Sequence, residues 1–407
     1  MNCGLLGGKL GHSYSPQIHS DLGDYIYELY EKSPEELGSF LKHGAFTGLN
    51  VTIPYKKAVI PYCSELSDRA RQLSAVNTLV RRPDGTLIGH NSDYFGFQYM
   101  LSRSGLQVAG KKVLVLGSGG ASATAVAVLR ESGANVVVIS RTGADNYNNY
   151  SNHQDTAVVV NTTPVGMFPD VGVAPIDIGR LPNLEGVLDV IYNPARTQIL
   201  MDAERLGLIA ENGLWMLVAQ AKESAEWFTG KNIDNSMIPV IHEKLQRQMQ
   251  NIILIGMPGC GKSTVGKIIC SMTGKPFVDA DLVIAEKAGK SIPDIFNENG
   301  EVGFRALETQ VLSELGKQSG LVIATGGGCV TKEANYPLLH QNGQIFWIHR
   351  DTSKLPTDGR PLSQDGRLEQ MYAVRKPLYA RFFDYSVDNN NTPETAAHTI
   401  LSMEDNL

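Results

Sequence analysis

Short apolar runs recur along the chain, each ending in polar or glycine-rich residues, and longer segments separate them. Lys112–Leu116, Asn135–Ile139 and Ala157–Val160 are rich in valine, leucine and isoleucine, as expected of strands covered on both faces. Ala123–Ser132, between the first two runs, has the length of a helix. Strands that alternate with helices predict an α/β fold with parallel sheets. Further predicted elements are strands at Val187–Ile191, Leu321–Ala324 and Gln344–Ile348, and a helix near Ile238–Gln248.

The apolar run Asn251–Ile255 leads straight into the pattern G-x-x-x-x-G-K-S, which begins at Gly256. In this P-loop pattern, backbone N–H groups surround phosphates, the lysine bridges the β- and γ-phosphates and the serine binds Mg²⁺. The pattern lies past the middle of the chain, so the residues before it must form a separate unit. It predicts phosphate binding without specifying the acceptor. The predicted ATP-binding residues here are Gly259, Cys260, Gly261, Lys262, Ser263 and Thr264.

A chain of 407 residues is too long for one ordinary core, so we expect two or three domains. The net charge of −6 creates no field that attracts nucleic acid or an anionic membrane, and we expect neither as a partner. The five cysteines are scattered without zinc-ligand or CxxC spacing, as expected of free thiols in a reducing compartment. The start MNCGLLGGKLGHS lacks the layout of a signal peptide, so we expect a cytoplasmic protein, either a monomer or a homodimer.

Polar residues follow the strand-like segments of the first 103 residues. Ser13 and Ser15 adjoin a helix that can begin at Pro16, so both hydroxyls can face one carboxylate, although an ordinary capped turn uses the same residue types. Lys56 follows a strand that ends at a proline, and Asp93 closes a later segment. A lone lysine is more often a solvated surface group. With Asp93 as its counter-charge, however, Lys56 can transfer a proton beside a hydroxyl or carbonyl substrate.

The motifs SxSP, NVTxPxK, AVNT and xNxDxxG, in this order, resemble shikimate dehydrogenase and its quinate-using relatives. The resemblance covers nearly all of residues 1–247. It implies that the serine pair holds the substrate carboxylate and that Thr52, Asn77 and Asp93 contact ring hydroxyls. It also implies acid–base catalysis by Lys56 together with Asp93.

A glycine turn, GSGGAS, begins at Gly117 directly after the first predicted strand. It resembles the dinucleotide-binding fingerprint but has Ser122 at the last glycine position. The next strand ends in SRT, where an enzyme that uses NAD usually has an acidic residue. A basic residue between hydroxyls suits a ribose 2′-phosphate and favours NADP(H), although a solvated loop arginine is the alternative. The family often has a second arginine where this chain has Ala123, so the NADP preference rests mainly on Arg141.

Two further segments carry residues that the same resemblance assigns to the site. GLWMLVAQ, beginning at Gly213, resembles the GxxMLVxQ helix of the family, which implies that Gln220 reaches the substrate and that Gly213 lies by the nicotinamide. Tyr192 is implied to lie by the substrate. The predicted NADP(H)-binding residues are therefore Gly117, Gly119, Gly120, Ala121, Ser140, Arg141, Thr142 and Gly213.

Charged residues follow the strands after the P-loop. Of Asp279 and Asp281 at one strand end, the first can serve the Mg²⁺ shell and the second can accept a proton from a substrate hydroxyl. Arg305 and Glu308 are three positions apart on a predicted helix, so they can pair and fix the guanidinium for a carboxylate. The turn TGGG offers bare backbone on which a small ring can lie. For any single arginine, a surface position is the more common alternative.

Together these features closely match shikimate kinase from Asn251 to about Met403. The match implies Mg²⁺ binding by Ser263 and Asp279 and catalysis by Lys262 and Asp281. Arg360 is implied to reach the ATP phosphates from a mobile lid, which is shorter here because only HRDTSKLPTDG follows the preceding strand. The implied shikimate-binding residues are Asp281, Arg305, Gly327 and Arg375, flanked by Phe296 and Phe304.

The sequence thus predicts three domains. Residues 1–103, completed by helices at about 225–248, would bind substrate, and residues 104–224 would form a Rossmann-type NADP domain. Residues 251–407 would form a P-loop domain with a parallel sheet, like that of nucleoside monophosphate kinases.

The two resemblances imply a bifunctional enzyme of chorismate and aromatic amino acid biosynthesis. It would reduce 3-dehydroshikimate to shikimate with NADPH and then phosphorylate the 3-hydroxyl of shikimate with MgATP. One alternative keeps only one half active and makes the other, the kinase half with its short lid, a ligand-binding regulator. Another makes the first half a quinate dehydrogenase or a catabolic relative.

Overall fold

The computed structural model describes residues 1–11, 13–355 and 367–404. The chain divides into two compact units, and each unit draws on more than one stretch of sequence. Unit 1 comprises Met1–Gly166, Val173–Tyr192 and Ile199–Lys244, and unit 2 comprises Met167–Gly172, Asn193–Gln198 and Leu245–Leu407.

Unit 1 begins with a six-stranded mixed sheet. Its strands are β1 (Asn2–Gly7), β2 (Ile26–Glu31), β3 (Gly48–Val51), β4 (Glu65–Leu66), β5 (Thr78–Arg81) and β6 (Leu87–His90), and its helices are α1 (Ser15–Leu22), α2 (Pro34–His43), α3 (Asp68–Leu73) and α4 (Asp93–Ser104). The strand order is β2-β1-β3-β5-β6-β4. Because β3 pairs antiparallel with β5, and β5 with β6, the end of β3, the start of β5 and the end of β6 meet at one edge. Leu6, Leu49 and Leu79 are fully buried beneath this sheet.

The second sheet of unit 1 has five strands, all of them parallel. Its strands are β7 (Lys112–Leu116), β8 (Asn135–Ile139), β9 (Thr156–Asn161), β10 (Gly186–Asp189) and β11 (Ile209–Glu211), and the helices of this part of the chain are α5 (Gly120–Glu131), α6 (Gln198–Arg205), α7 (Leu214–Thr229) and α8 (Met237–Met249). The order is β11-β10-β9-β7-β8. Residues 113–116 are fully buried, which accounts for a run without polar alternation.

Several boundaries differ from those that the sequence predicts. β10 ends at Asp189 rather than at Ile191, because the Asp189 carboxylate accepts a hydrogen bond from the Ile191 amide at 3.0 Å and turns the chain out of the sheet. α5 begins at Gly120, three residues earlier than predicted, since the glycine turn itself supplies the first helical residues. α7 is continuous from Leu214 to Thr229, so it spans the domain boundary predicted between residues 224 and 225.

Unit 2 is built on a five-stranded parallel sheet. Its strands are β12 (Asn251–Ile255), β13 (Phe277–Asp279), β14 (Val322–Ala324), β15 (Gly343–His349) and β16 (Tyr385–Asp388), and its helices are α9 (Lys262–Thr273), α10 (Ala280–Ala288), α11 (Ile292–Gly316), α12 (Asn335–His340), α13 (Arg367–Tyr379) and α14 (Pro393–Glu404). The order is β13-β14-β12-β15-β16, with the fully buried β12 at the centre. Gly300 kinks α11, with φ 64° and ψ −177°. Within the described ranges, no helix is both long and apolar enough to cross a membrane.

Two buried aromatic rings, with charged residues beside them, pack α8 onto α7. The His242 ring stacks on Trp215 with centroids 3.5 Å apart, and the Arg103 guanidinium lies 4.7 Å from the centroid of the same indole. Burial lowers the pKa of His242 to about 4, and Arg103 adds to that effect. Burial also raises the pKa of Glu211, at the end of β11, to about 7. The folded state therefore favours a protonated Glu211 carboxyl.

Replacing Glu211 by glutamine should make unit 1 less sensitive to alkaline pH. A carboxyl whose pKa rises from 4.5 to about 7 on folding stabilises the protein below pH 4.5, and that contribution is lost as pH rises through about 7. Since one pKa unit corresponds to about 1.4 kcal/mol, the wild type should lose about 3 kcal/mol relative to the glutamine variant over this range. Urea unfolding at pH 5 and pH 8 measures the difference. The exposed Glu185→Gln is the control, and equal pH dependence of both variants would contradict the expectation.

Candidate active sites

The first candidate site lies in unit 1, where the end of β3, the start of β5 and the end of β6 meet. Lys56 follows β3 and Asp93 begins α4, and Lys56 Nζ lies 2.6 Å from Asp93 Oδ2. Their side chains are 28% and 13% exposed, so the pair is shielded without being sealed from solvent. Thr52 follows β3 directly, is half-buried, and donates its amide to Leu6 O. A positive and a negative group in hydrogen-bond contact can hold and move a proton.

Asn77 and Gln220 add two side-chain amides to this edge. Asn77, just before β5, is buried, and its Oδ1 accepts the Ser92 amide at 2.7 Å while its Nδ2 donates to Ser92 Oγ at 3.0 Å. Gln220, on α7, donates its Nε2 to Leu217 O at 2.9 Å. Each amide nitrogen has two hydrogens, so each retains one that is not engaged by these bonds. Both amides can therefore donate to an oxygen of a bound ligand.

The serine pair lies at the start of α1. Ser15 is buried in the first turn, and its amide donates to Ser13 Oγ at 3.2 Å. This bond is typical of the ordinary turn that the sequence also allowed. The N-cap position itself is occupied by Tyr14, which makes no side-chain cap. The Tyr14 ring meets Tyr192 edge to face with centroids 6.3 Å apart. Burial raises the pKa of the Tyr192 phenol, which keeps it a hydrogen-bond donor.

The glycine turn after β7 leaves backbone open for an approaching ligand. A Cβ at Gly119 or Gly120 would meet no atom within 4 Å, whereas Gly117 has φ 105° and a Cβ there would lie 2.9 Å from Thr162 Oγ1. Ser122, at the last glycine position of the fingerprint, donates its hydroxyl to Gly117 O at 2.8 Å and closes the turn. Ala121 lies in the first turn of α5, where free N–H groups attract anions. These residues fit the pyrophosphate of a dinucleotide.

The turn after β8 presents the predicted ribose-phosphate residues. Arg141 and Thr142 are exposed, and the Ser140 amide donates to Asp145 O at 3.2 Å, which closes the turn. In the part of the chain that the structure describes, Arg141 forms no ion pair, so its charge is available to an anion. Gly213, the N-cap of α7, has no space for a side chain, because a Cβ would lie 2.1 Å from Val190 O.

The second candidate site lies in unit 2, at the carboxyl edge of its parallel sheet. The P-loop joins β12 to α9, with Gly259 at φ 85° and Gly261 at φ 102°. Lys262 is buried, and its Nζ donates to Gly256 O at 2.8 Å and to Met257 O at 3.0 Å. Thr264 follows in the first turn of α9. The loop therefore holds its own cation beside the helix N-terminus, an arrangement that fits a chain of phosphates.

The residues predicted to hold Mg²⁺ are already in contact. Ser263 Oγ donates to Asp279 Oδ2 at 2.7 Å, and Asp279 Oδ1 accepts the Asp281 amide at 3.1 Å as the cap of α10. Within the described residues, no group of three His, Cys, Asp or Glu side chains could hold a metal. The pair of Ser263 and Asp279 suits Mg²⁺, because this ion binds proteins through one or two side chains and takes its other ligands from water and phosphate.

Residues 326–328 follow β14 and form the glycine platform, on which three charged side chains and the P-loop proline converge. A Cβ at Gly326 would lie 2.7 Å from Asp281 Oδ1, and one at Gly328 would lie 2.0 Å from Arg305 Nη2. A Cβ at Gly327 would lie 2.6 Å from a carbon of the P-loop proline, and Gly327 O accepts from Arg375 Nη1 at 3.1 Å. The four residues predicted to bind the acceptor are therefore neighbours across three helices and one turn.

The predicted pair on α11 is present and buried. Arg305 Nη1 donates to Glu308 Oε2 at 2.7 Å, and Arg305 Nη2 donates to Glu301 Oε1 at 3.3 Å. Burial raises the pKa of the Glu308 carboxyl, and the Arg305 guanidinium opposes part of that rise. The rings of Phe296 and Phe304 stack with centroids 4.4 Å apart beside the arginine. The guanidinium is thus fixed in direction before any ligand binds.

Two residues of this site were not predicted. The Tyr379 hydroxyl donates to Gly327 O, the same carbonyl that Arg375 contacts. Spacing could have found it, because Arg375 and Tyr379 are four apart on one helix face. Asn389, after β16, donates its Nδ2 to Cys260 O at 2.7 Å and braces the P-loop. Arg360, the predicted lid residue, lies outside the described residues.

Comparisons with known proteins match the earlier and the later part of the chain to two different families. A family model described as the shikimate dehydrogenase substrate binding domain matches residues 5–79, and one described as shikimate kinase matches residues 258–404. Shikimate dehydrogenase (NADP(+)) from Clostridium perfringens strain SM101 is 34% identical over 266 residues, which are 60% of this chain and 97% of that protein.

Solved structures are similar over the same part of the chain. A chorismate mutase/shikimate 5-dehydrogenase fusion protein from Clostridium acetobutylicum is 36% identical, with a TM-score of 0.57, over 60% of this chain and 97% of that one. Shikimate 5-dehydrogenase from Thermus thermophilus, in complex with NADP(H) and shikimate, is 29% identical, with a TM-score of 0.54, over 60% of this chain and 99% of that one.

The two carboxylates that contact Arg305 should differ sharply in their effect on stability. The Glu308 side chain is 0% exposed and that of Glu301 is 60% exposed. Glu308→Gln leaves a buried guanidinium without its buried charge partner, with only the exposed Glu301 beside it, which should cost about 3–5 kcal/mol. Glu301→Gln, the matched control, should cost no more than about 1 kcal/mol. Urea unfolding of the full chain measures both. Similar losses of stability in the two variants would contradict the conclusion that Glu308 is buried and Glu301 exposed.

Proposed function

Because the chain belongs to the shikimate dehydrogenase family over its first part and carries a shikimate kinase domain after it, we propose that one polypeptide catalyses two successive steps. The first reduces 3-dehydroshikimate to shikimate with NADPH, and the second phosphorylates shikimate at its 3-hydroxyl with MgATP. The observation that carries the proposal is that, among the described residues, each unit brings proton-transfer and anion-binding side chains together at one edge of its sheet. The product of the first site has the chemistry that the second site would bind.

In unit 1, Lys56 is assigned as the proton donor to the substrate carbonyl oxygen. Its Nζ contacts Asp93 at 2.6 Å, which orients the ammonium and gives a proton acceptor for the reverse direction. Asn77 and Gln220 would donate their remaining N–H groups to ring oxygens, together with the Thr52 hydroxyl. The serine pair would hold the substrate carboxylate beside Tyr192. When bound, NADPH supplies the hydride.

The dinucleotide would lie along the second sheet of unit 1. The predicted residues of the glycine turn would hold its pyrophosphate, Arg141 with the neighbouring Ser140 and Thr142 would hold the 2′-phosphate, and the bare backbone at Gly213 would face the nicotinamide. The open space at Gly119 and Gly120 supports this assignment.

In unit 2, Asp281 is assigned as the acceptor of the proton from the 3-hydroxyl of shikimate. Arg305 and Arg375 would hold the substrate carboxylate, since both guanidinium groups converge on the glycine platform. Lys262 would place its charge between phosphates once it exchanges its contacts with the P-loop carbonyls. When bound, MgATP supplies the phosphoryl group, and Ser263 and Asp279 would hold the Mg²⁺.

We propose the three predicted domains as the functional division of the chain. Residues 1–103 would bind the dehydrogenase substrate with the helices at about 225–248, residues 104–224 would bind NADP(H) and residues 251–407 would form the kinase. A cytoplasmic location is supported by the five cysteines, which are all free thiols, three of them buried. A monomer or homodimer with small-molecule partners suffices, because each unit supplies its own site residues.

A coupled assay tests the proposed function directly. The intact protein receives 3-dehydroshikimate, NADPH and MgATP, and shikimate 3-phosphate is measured by mass spectrometry. Its formation is expected. Accumulation of shikimate without phosphate would show that only unit 1 is active, and rates higher with quinate and NAD than with shikimate and NADP would indicate a catabolic dehydrogenase.

Lys56→Met should lower NADPH-dependent reduction by about 10²–10⁴-fold, because it removes the proton donor. Phosphorylation of added shikimate by the same preparation should be unchanged, because that step is assigned to unit 2, and urea unfolding shows whether unit 1 of the variant is folded. The neighbouring Lys57→Met is the matched control, since Lys57 is exposed. A Lys56 variant that reduces dehydroshikimate at the wild-type rate would exclude the assigned role.

Lys262→Met should lower phosphorylation of shikimate by about 10²–10³-fold, as expected when one preorganised cation is removed from a developing charge. Reduction of dehydroshikimate should continue normally. Lys287→Met, at an exposed ion pair on α10, serves as the control. Loss of both activities in the Lys262 variant would indicate misfolding rather than a catalytic effect, and the exposed control would then be compared by urea unfolding.

A further inference from the structure

Three hydroxyl groups form a buried cluster behind the substrate-binding edge of unit 1. Thr78 comes from β5, Ser92 from the N-terminus of α4 and Ser224 from the middle of α7, and all three residues are 0% exposed. Thr78 Oγ1 and Ser92 Oγ each lie 2.8 Å from Ser224 Oγ and 3.3 Å from one another. Ser224 is therefore the centre of the hydroxyl cluster.

Ser224 makes further hydrogen bonds beyond the cluster. It donates to Gln220 O at 2.9 Å and accepts from Asn50 Nδ2 at 2.7 Å. Asn50 in turn accepts the Tyr27 hydroxyl at 2.7 Å. A buried polar group without partners is costly, so removing the Ser224 hydroxyl would leave the Asn50 amide and two hydroxyls without a common partner.

The hydroxyl cluster contacts both amides that are proposed to bind substrate. Asn77 Oδ1 accepts from Thr78 Oγ1 at 3.0 Å as well as from the Ser92 amide at 2.7 Å. Ser92 Oγ also lies 3.4 Å from Gln220 Oε1. Both amide oxygens thus face the cluster. The Asn77 nitrogen also donates to Ser92 Oγ and the Gln220 nitrogen donates to Leu217 O, so each nitrogen keeps one hydrogen for a ligand.

The position of Ser92 indicates that the cluster does not serve helix stability. Serine at an N-cap ordinarily accepts a hydrogen bond from an amide in the first turn of its helix. Ser92 is the N-cap of α4 and makes no such bond, because its hydroxyl contacts Asn77 and Ser224 instead. Ser92 therefore does not stabilise α4 as a side-chain cap, because its hydroxyl is engaged in these contacts.

We propose that Ser224 is a positioning residue for the dehydrogenase reaction, which fixes the direction of the Asn77 and Gln220 amides through the hydroxyl cluster. The proposal rests on the proposed function of unit 1. Ser224 touches no substrate itself. It connects α7 to β3, β5 and α4, and its contacts with Thr78 and Ser92 link it to the two amides.

Steady-state kinetics of shikimate oxidation by the full chain tests the proposal with Ser224→Ala. Ser224→Ala removes the common partner of Thr78 and Ser92, the two hydroxyls that contact the amides. A loss worth about one net hydrogen bond in substrate binding should raise the KM for shikimate about tenfold. The KM for NADP⁺ and the rate of shikimate phosphorylation should stay within about twofold of the wild type. Thr229→Ala is the matched control, since Thr229 lies on the same helix and makes the same type of bond, to Ala225 O at 2.8 Å.

A double variant gives a second, independent measurement. Ser92→Ala should also raise the KM for shikimate, and adding Ser224→Ala should change it by less than the product of the two single effects, because both act through one network. The proposal is wrong if the KM for shikimate in Ser224→Ala stays at the wild-type value, or rises equally in Thr229→Ala. Failure of the proposed function is distinct, because the wild type itself would then not oxidise shikimate.

Discussion

In unit 2 the five strands run parallel, and their carboxyl ends meet at one edge of the sheet. The P-loop follows β12, Asp279 ends β13 with Asp281 in the first turn of α10, and the glycine platform follows β14. Unit 1 reaches a similar result with mixed pairing, because the antiparallel partners of β5 bring Thr52, Asn77 and Asp93 to a common edge. The candidate site residues of both units are far apart in sequence, so only the pairing of the strands brings them together.

The two sites position polar groups at different energetic cost. Unit 1 holds its two amides with neutral hydroxyls, each of which has several hydrogen-bond partners. Unit 2 buries a guanidinium against Glu308, and the Coulomb attraction must offset the loss of hydration for both groups. Neutral networks tolerate removal of one member better than a buried ion pair does.

Glycine has opposite uses in the glycine turn of unit 1 and the glycine platform of unit 2. Gly119 and Gly120 face open space, so their missing side chains leave room for a ligand. Gly326 and Gly328 face Asp281 and Arg305, so their missing side chains leave room for the protein itself. The same residue type in a sequence motif thus serves access in one unit and internal packing in the other.

The sequence by itself determined the elements whose cause is local. The bounds of β7 and β8 follow from unbroken apolar runs, and the Arg305–Glu308 pair follows from helical spacing. The early end of β10 could not be predicted, because the Asp189 carboxylate that turns the chain gives no periodic signal. Only the tertiary structure revealed the contacts of Ser224, which joins residues 132 to 174 positions away. Hydrogen bonds across such separations depend on strand register and helix packing, and neither is encoded in any short stretch of the chain.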